Sequence, residues 1–274
     1  MPPLATAPHG TPEAACAETL LPVALAERHE ETAAPCGIVL IDKPAGPSSF
    51  QMVRLVRRAL GVKKVGHSGT LDPFASGLLV ICVGRPATRI IARLMGGIKE
   101  YEAVLRLGVE TDTQDPEGTI IAQRPVGELD LSRVEACLAT FVGEIMQTPP
   151  QFSALKHHGK PLYHYARRGI VVEKEPRPVT IHALRLVSLA GDRLTIRAVC
   201  GKGTYIRRLG ADIGQAIGCG AHLEALRRLR NGQFSVKEAL AGDQMYSTDH
   251  ARPLLLRHLR PVDSVLDDLT TAEL

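Results

Sequence analysis

The chain is predicted to adopt an α+β fold, and three observations carry that prediction. Segments with helical spacing and strand-like apolar runs occur in mixed order, without the regular strand–helix–strand alternation of a parallel sheet. Neighbouring strand candidates, such as 180–189 and 193–200, look like antiparallel pairs. The chain has 274 residues, 45% hydrophobic and 23% charged, enough for a substantial core. No internal repeat is visible. No apolar run reaches the ~18–20 residues of a membrane span.

Residues 1–35 contain nine Ala and six Pro with no sustained period and read as a disordered tail. An ordered body is expected over 36–260, with a C-terminal tail over 261–274. Residues 37–41 form a short apolar strand and 42–47 a turn. Ser48 with Gln51 resembles a capping box, Val53, Val56 and Leu60 recur at helical spacing, and Gly61 stops the helix. Arg54, Arg57, Arg58, Lys63 and Lys64 decorate this element, as a solvated face or as phosphate contacts. A glycine-rich loop covers 66–73. A buried strand is expected at 78–83, a helix at 87–95, an alternating strand at 101–107 and a polar loop at 108–118. Residues 131–141 read as a helix with Ser132 near its start. Residues 149–168 are loop-rich and dense in Lys, His and Arg. Further strands are expected at 170–173, 180–189 and 193–200, then a helix over 205–217 ending near Gly218. Residues 222–230 read as a short basic helix or turn, and a helix should pack on the core around 254–259.

The net charge of +4 conceals an uneven distribution. Residues 1–35 hold one basic and five acidic residues, leaving 32 basic and 24 acidic in 36–274, a net of +8. That excess makes a phosphate-rich partner plausible. Six cysteines form no CxxC pair, so no zinc site is signalled. No secretory signal is recognised, which points to free thiols in a reducing cytoplasm. Five Tyr, five Phe and no Trp argue against a protein that stacks base after base.

Three short motifs fail on inspection. Gly61-x4-Gly66 has the frame of a phosphate-binding loop, but His67 stands where the lysine is needed. Ser153-x-x-Lys156 lacks the partner motifs of a serine acyltransferase. Cys219 and His222 are too few for a metal site. The loop around Asp72 is more informative. Gly66, Gly69 and Gly77 allow sharp turns and Pro73 stiffens the exit. From spacing alone, Asp72 is a turn-capping carboxylate, a metal ligand or a nucleophile.

The wider string decides among these. Gly66-His67-Ser68-Gly69-Thr70-Leu71-Asp72-Pro73, with Gly77, Gly84 and Ala87-Thr88-Arg89, resembles the signature of the TruB family of tRNA pseudouridine synthases. Six further segments occur in that family's order: Asp42-Lys43-Pro44-x-Gly46; Lys99-Glu100-Tyr101; Thr111-Asp112-Thr113-x-Asp115-x-x-Gly118; Pro149-Pro150-x-Phe152-Ser153-Ala154-Leu155-Lys156 with Tyr163-x-Tyr165-Ala166-Arg167-x-Gly169; Lys202-Gly203-Thr204-Tyr205-Ile206-Arg207; and Cys219-Gly220-Ala221-His222-Leu223-x-x-Leu226-Arg227-Arg228. Phe152 replaces a tyrosine usual in the family.

The resemblance implies a pseudouridine synthase fold: a mixed, largely antiparallel sheet flanked by helices, with an RNA-gripping thumb inserted at about 151–178. It implies isomerisation of uridine to pseudouridine at position 55, in the T-arm loop of tRNA; that reaction exchanges no electrons or groups with solvent, so neither cofactor nor metal is expected, and work on a tRNA-sized partner is compatible with a monomer. It also implies site residues. Asp72 acts on the flipped uridine, Arg207 pairs with it and Tyr101 stacks on the base. Tyr205 and Leu226 line the pocket. His67 wedges into the gap left by flipped bases, and Asp115 contacts RNA or braces Arg207. Lys156, Arg167 and Arg168 grip the backbone from the thumb. With few residues after Arg230, no complete C-terminal RNA-binding module of the PUA type is expected. A non-catalytic RNA-binding or tRNA-folding protein on the same scaffold is the alternative.

Overall fold

A computed structural model describes residues 34–271 apart from Ala154 and Arg167. The tail expected over 1–35 lies outside the described residues except for its last two. The chain runs β1 (Gly37–Lys43), α1 (Ser49–Leu60), β2 (Val65–His67), β3 (Ser76–Val83), α2 (Gly84–Arg89), α3 (Ile91–Leu94), β4 (Lys99–Leu107), β5 (Val109–Thr111), β6 (Ile120–Gln123), α4 (Leu131–Ala139) and β7 (Gly143–Gln147). It continues with β8 (Lys156–His157), β9 (Lys160–Pro161), α5 (Leu162–Ala166), β10 (Arg177–Ala190), β11 (Arg193–Cys200), α6 (Ile206–Ile217), β12 (Ala221–Asn231), β13 (Phe234–Ser235), β14 (Leu240–Ala241), α7 (Thr248–His258) and α8 (Val262–Thr271).

Ten strands build one mixed sheet along the path β14-β1-β3-β12-β4-β11-β10-β7, with β2 added to β3 and β13 to β12. Among the described residues, only β1–β14 and β3–β12 pair in parallel. The rest of the sheet is antiparallel, as the α+β reading anticipated.

Hydrophobic patterning sets how the two halves are covered. β3 is apolar on both faces because both are packed. Leu79, Ile81 and Val83 meet Met52, Val53 and Val56 of α1 and Leu255 of α7. Leu78, Val80 and Cys82 face the opposite way, towards Ala87, Leu94 and Val265 of α2, α3 and α8. β4 instead alternates. Tyr101, Ala103, Leu105 and Leu107 pack with Val134 and Leu138 of α4 and Leu209 and Ile213 of α6. Its other face carries cross-strand ion pairs, Arg197–Glu102 at 2.9 Å and Arg106–Asp192 at 2.8 Å among them.

Several elements depart from expectation. Residues 222–230 are not a helix or turn but most of β12, a central strand. Its register shifts at Leu223/Ala225 and at Arg228/Arg230 reset the two-residue alternation, so Leu223, Leu226 and Leu229 recur at a helix-like spacing of three. Residues 170–173 are not a strand. The Gln151 amide takes the place of a strand partner there, accepting from Val172 N at 3.1 Å and donating to Val172 O at 2.9 Å. The helix expected at 87–95 splits in two at Ile90, where ψ is 3°. The helix expected over 131–141 has Ser132 near its start as read and Asp130 as its cap, but ends at Ala139. Part of the expected tail, 262–271, is helix α8, whose Val265 is 2% exposed. Among the described residues no helix is long and apolar enough to cross a membrane.

Candidate active site

The loop from β2 to β3 carries Asp72, and its neighbours are fixed from both sides. Ser49 Oγ accepts from Leu71 N at 2.8 Å and donates to Leu71 O at 2.9 Å. Pro73 O accepts from Gly46 N at 2.8 Å and from the buried Lys43 Nζ at 3.2 Å. Lys43 also donates to Pro44 O and Pro47 O, so one ammonium ties the turn after β1 to the Asp72 loop. Burial brings that ammonium down to about 8, against the opposing pull of Asp72.

Arg207, the second residue of α6, reaches the same loop. Its Nε lies 3.0 Å from Asp72 Oδ2, and its side chain is only 5% exposed. Nη1 donates to Asp115 Oδ2 at 3.1 Å and Thr113 O at 3.0 Å, and Nη2 to Phe152 O at 2.6 Å. A buried guanidinium thus has every edge engaged, and its orientation towards Asp72 is fixed. Asp115 is itself held by Thr113 Oγ1 at 2.6 Å and Glu117 N at 3.1 Å. The tight loop needs Gln114 at φ 62°, a left-handed conformation unusual for a non-glycine residue. Burial raises the Asp72 carboxyl above the usual carboxylate range, and Arg207 opposes the shift without cancelling it.

Asp72 and Arg207 line a cavity of about 490 Å³ together with Tyr101, Tyr205, Leu226 and Arg228. Tyr101 rises from β4 directly opposite Arg228 on β12. Arg228 is 1% exposed and donates to Leu78 O at 2.7 Å and Gly69 O at 3.1 Å. Tyr205 immediately precedes α6, and its backbone is clasped by the buried Gln147 at the end of β7. Gln147 Nε2 donates to Tyr205 O at 3.1 Å, and Tyr205 N donates to Gln147 Oε1 at 2.8 Å. The rest of the wall includes Lys99, Lys202 and the exposed residues Ala92, Met95 and Gly96 at the end of α3. Asp72 is the one carboxylate among the described lining residues, facing four cations. Such a cavity favours a polyanionic ligand that brings one apolar, flat group inside.

A family model for the TruB family pseudouridylate synthase N-terminal domain matches residues 57–206, and one for the tRNA pseudouridylate synthase B C-terminal domain matches 207–267. A relative named tRNA pseudouridine synthase B, from Desulfotalea psychrophila, is 54% identical over 241 residues, covering 86% of this chain and 98% of the relative. The chain belongs to the TruB family. It is therefore a pseudouridine synthase, an isomerase. A second TruB relative with the same name, from Aromatoleum aromaticum, is 48% identical over 87% of this chain and 76% of its own. Among solved structures, a Cbf5–Nop10–Gar1 complex aligns with a TM-score of 0.63 and 28% identity, over 82% of this chain and 60% of that one. An H/ACA RNP bound to a substrate RNA containing 2′-deoxyuridine aligns at 0.59 and 26%, over 82% and 59%. The TruB chain thus spans about three fifths of those solved chains.

The cavity brings together Asp72, Arg207, Tyr101, Tyr205 and Leu226 of the expected TruB residues. Asp115 stands behind them, bracing Arg207. His67 ends β2 and is not in the cavity lining. Arg168 is exposed on the turn after α5 and is not in the lining either. Arg167 and the Lys156 side chain lie outside the described residues. Sequence reasoning did not single out Lys43, Ser49, Gln147 or Arg228. Lys43 and Arg228 stood inside quoted motifs, yet a lone basic residue reads as surface, because unpaired Lys and Arg are seldom buried. Ser49 and Gln147 act across long stretches of chain, and no local pattern marks them.

Proposed function

We propose that this isomerase acts on tRNA, converting the uridine at position 55 of the T-arm loop. One observation carries the reading: the single carboxylate of a strongly cationic cavity is aligned by a buried arginine, beside a tyrosine on which a base can stack. The isomerisation breaks the C1′–N1 bond, turns the uracil and joins C5 to C1′. The C5 proton leaves and N1 gains one, so atoms balance without a redox partner. The base must first leave its stack. The reacting carboxylate is Asp72, held by Arg207, with Asp115 as a positioning residue. Tyr101 supports the flipped uracil, and Arg228 fixes Tyr101 from the neighbouring strand. Tyr205 and Leu226 exclude water. The thumb at 151–178, with Lys156, Arg167 and Arg168, grips phosphates, and His67 occupies the space vacated by the flipped base. An RNA-binding protein without catalysis leaves the fixed Asp72–Arg207 geometry without a purpose.

The test is release of tritium from unmodified tRNA labelled at uracil C5. The native protein should release it in the presence of EDTA, and Asp72→Asn should bind the tRNA without release. Normal release by Asp72→Asn overturns the role of the carboxylate, and label retained by the native protein overturns the substrate.

A further inference from the structure

Residues 44–98 contain a single acidic residue, Asp72, among eight basic ones. Three of those, Arg85, Arg89 and Arg93, recur every four residues along α2 and α3, and all three are exposed. The inward face of the same segment is Ala87 and Leu94, buried against β3, which turns the arginines outward together. Arg85 and Arg89 stand a four-residue step apart on α2, about 6 Å along its axis, and Arg93 follows on α3. None of the three forms an ion pair with a described residue, whereas arginines on the outer face of β4 and β11 are paired with carboxylates. The row also has a direction. Ala92, Met95 and Gly96, which continue it, form part of the cavity wall.

From these observations we propose that Arg85, Arg89 and Arg93 form a phosphate-binding row that guides the RNA strand away from the flipped nucleotide. This rests on the tRNA reading above. A nucleotide inside the cavity leaves its flanking phosphates at the mouth, and the α3 rim is one of the surfaces they must cross. Three guanidinium groups without a described carboxylate partner, two on α2 and one on α3, can follow a strand one phosphate after another without reading its bases.

Salt dependence provides the test. Each phosphate contact releases counterions and steepens the plot of log affinity against log salt by about 0.7 for a single strand and 0.9 for a duplex. In the full-length protein, Arg85→Gln/Arg89→Gln/Arg93→Gln should flatten that slope by about 2 to 3 with unmodified tRNA as probe. Affinity at low salt should fall more than tenfold, while the single-turnover rate at saturating tRNA stays within twofold. Arg54→Gln/Arg58→Gln/Arg257→Gln is the charge-matched control, on α1 and α7 across the sheet, and should leave the slope unchanged. An unchanged slope in the first variant, or equal flattening in both, overturns the proposal. If the triple variant melts early, Arg89→Gln alone must still flatten the slope by roughly 0.7 to 0.9. Native protein that isomerises tRNA while the slope ignores the row refutes the row alone. Native protein inert on tRNA refutes the substrate reading and the row with it.

Discussion

At the scale of single residues, the site is governed by a conflict between burial and charge. On the proposed mechanism Asp72 works as an anion, yet its surroundings favour the neutral form more strongly than Arg207 favours the charged one. The acid limb of kcat/KM should therefore lie above the ordinary carboxylate range. Stability moves the other way. A carboxyl whose folded value is raised contributes its stabilisation below the unfolded value and loses it as pH rises through the folded value. Acidification through this window should abolish turnover without weakening the fold at this group, which parallel rate and melting measurements will read. Asp115 adds to the upward shift. Asp115→Asn removes that repulsion but loosens Arg207, so it should lower kcat by about tenfold or more and move the acid limb to lower pH. A purely structural role would leave the limb where it was.

At the scale of elements, β12 decides whether a site exists. It carries Leu226 and Arg228 into the cavity wall, and Arg227 of the same strand binds Asp42 in a two-pronged ion pair whose closer contact is 2.6 Å. Its parallel contact with β3 leaves no room for a side chain at Gly77. A Cβ there would stand 2.3 Å from Arg228 O, and φ is already 100°. Gly77→Ala should destabilise the protein by about 3 kcal/mol or more, measured by denaturant unfolding, since two backbones must part to admit a methyl group. β12 also marks where the sequence was hardest to read. Its bulges disguise a strand as a helical period, and Arg228 is buried only because carbonyls from Leu78 and Gly69 converge on it. Elements without such interruptions, such as α1 with its Ser48–Gln51 capping box, were legible from local pattern. So were the ends of β11 and α6.

At the scale of the molecule, the described residues that meet in the cavity come from 69–72, 92–101, 153, 201–207 and 226–228. Composition and periodicity could place each segment in a strand, loop or helix. They could not bring the segments together. Family resemblance supplied the pairing of Asp72 with Arg207, but the supports that fix its geometry are long-range contacts with no sequence signature. The charge asymmetry was legible, although its meaning depended on which cations the fold leaves unpaired.

The clasp between Gln147 and Tyr205 has a kinetic consequence. Gln147 ends β7, an edge strand of the sheet, whereas Tyr205 immediately precedes the helix that carries Arg207. Edge strands open at lower free energy than the doubly covered centre. On warming, β7 should detach while β1 and β3 are still intact, and the start of α6 then loses its anchor. Inactivation should precede global melting by several degrees. Hydrogen exchange followed by mass spectrometry will check this: amides of 143–147 and 205–209 should lose protection together, ahead of 37–43 and 76–83. Simultaneous loss would show that the edge and the centre open as one. With the edge lost first, as expected, the enzyme carries its thermal fuse at the rim of the sheet, and a graft that secures β7 should lengthen its working life without touching the cavity.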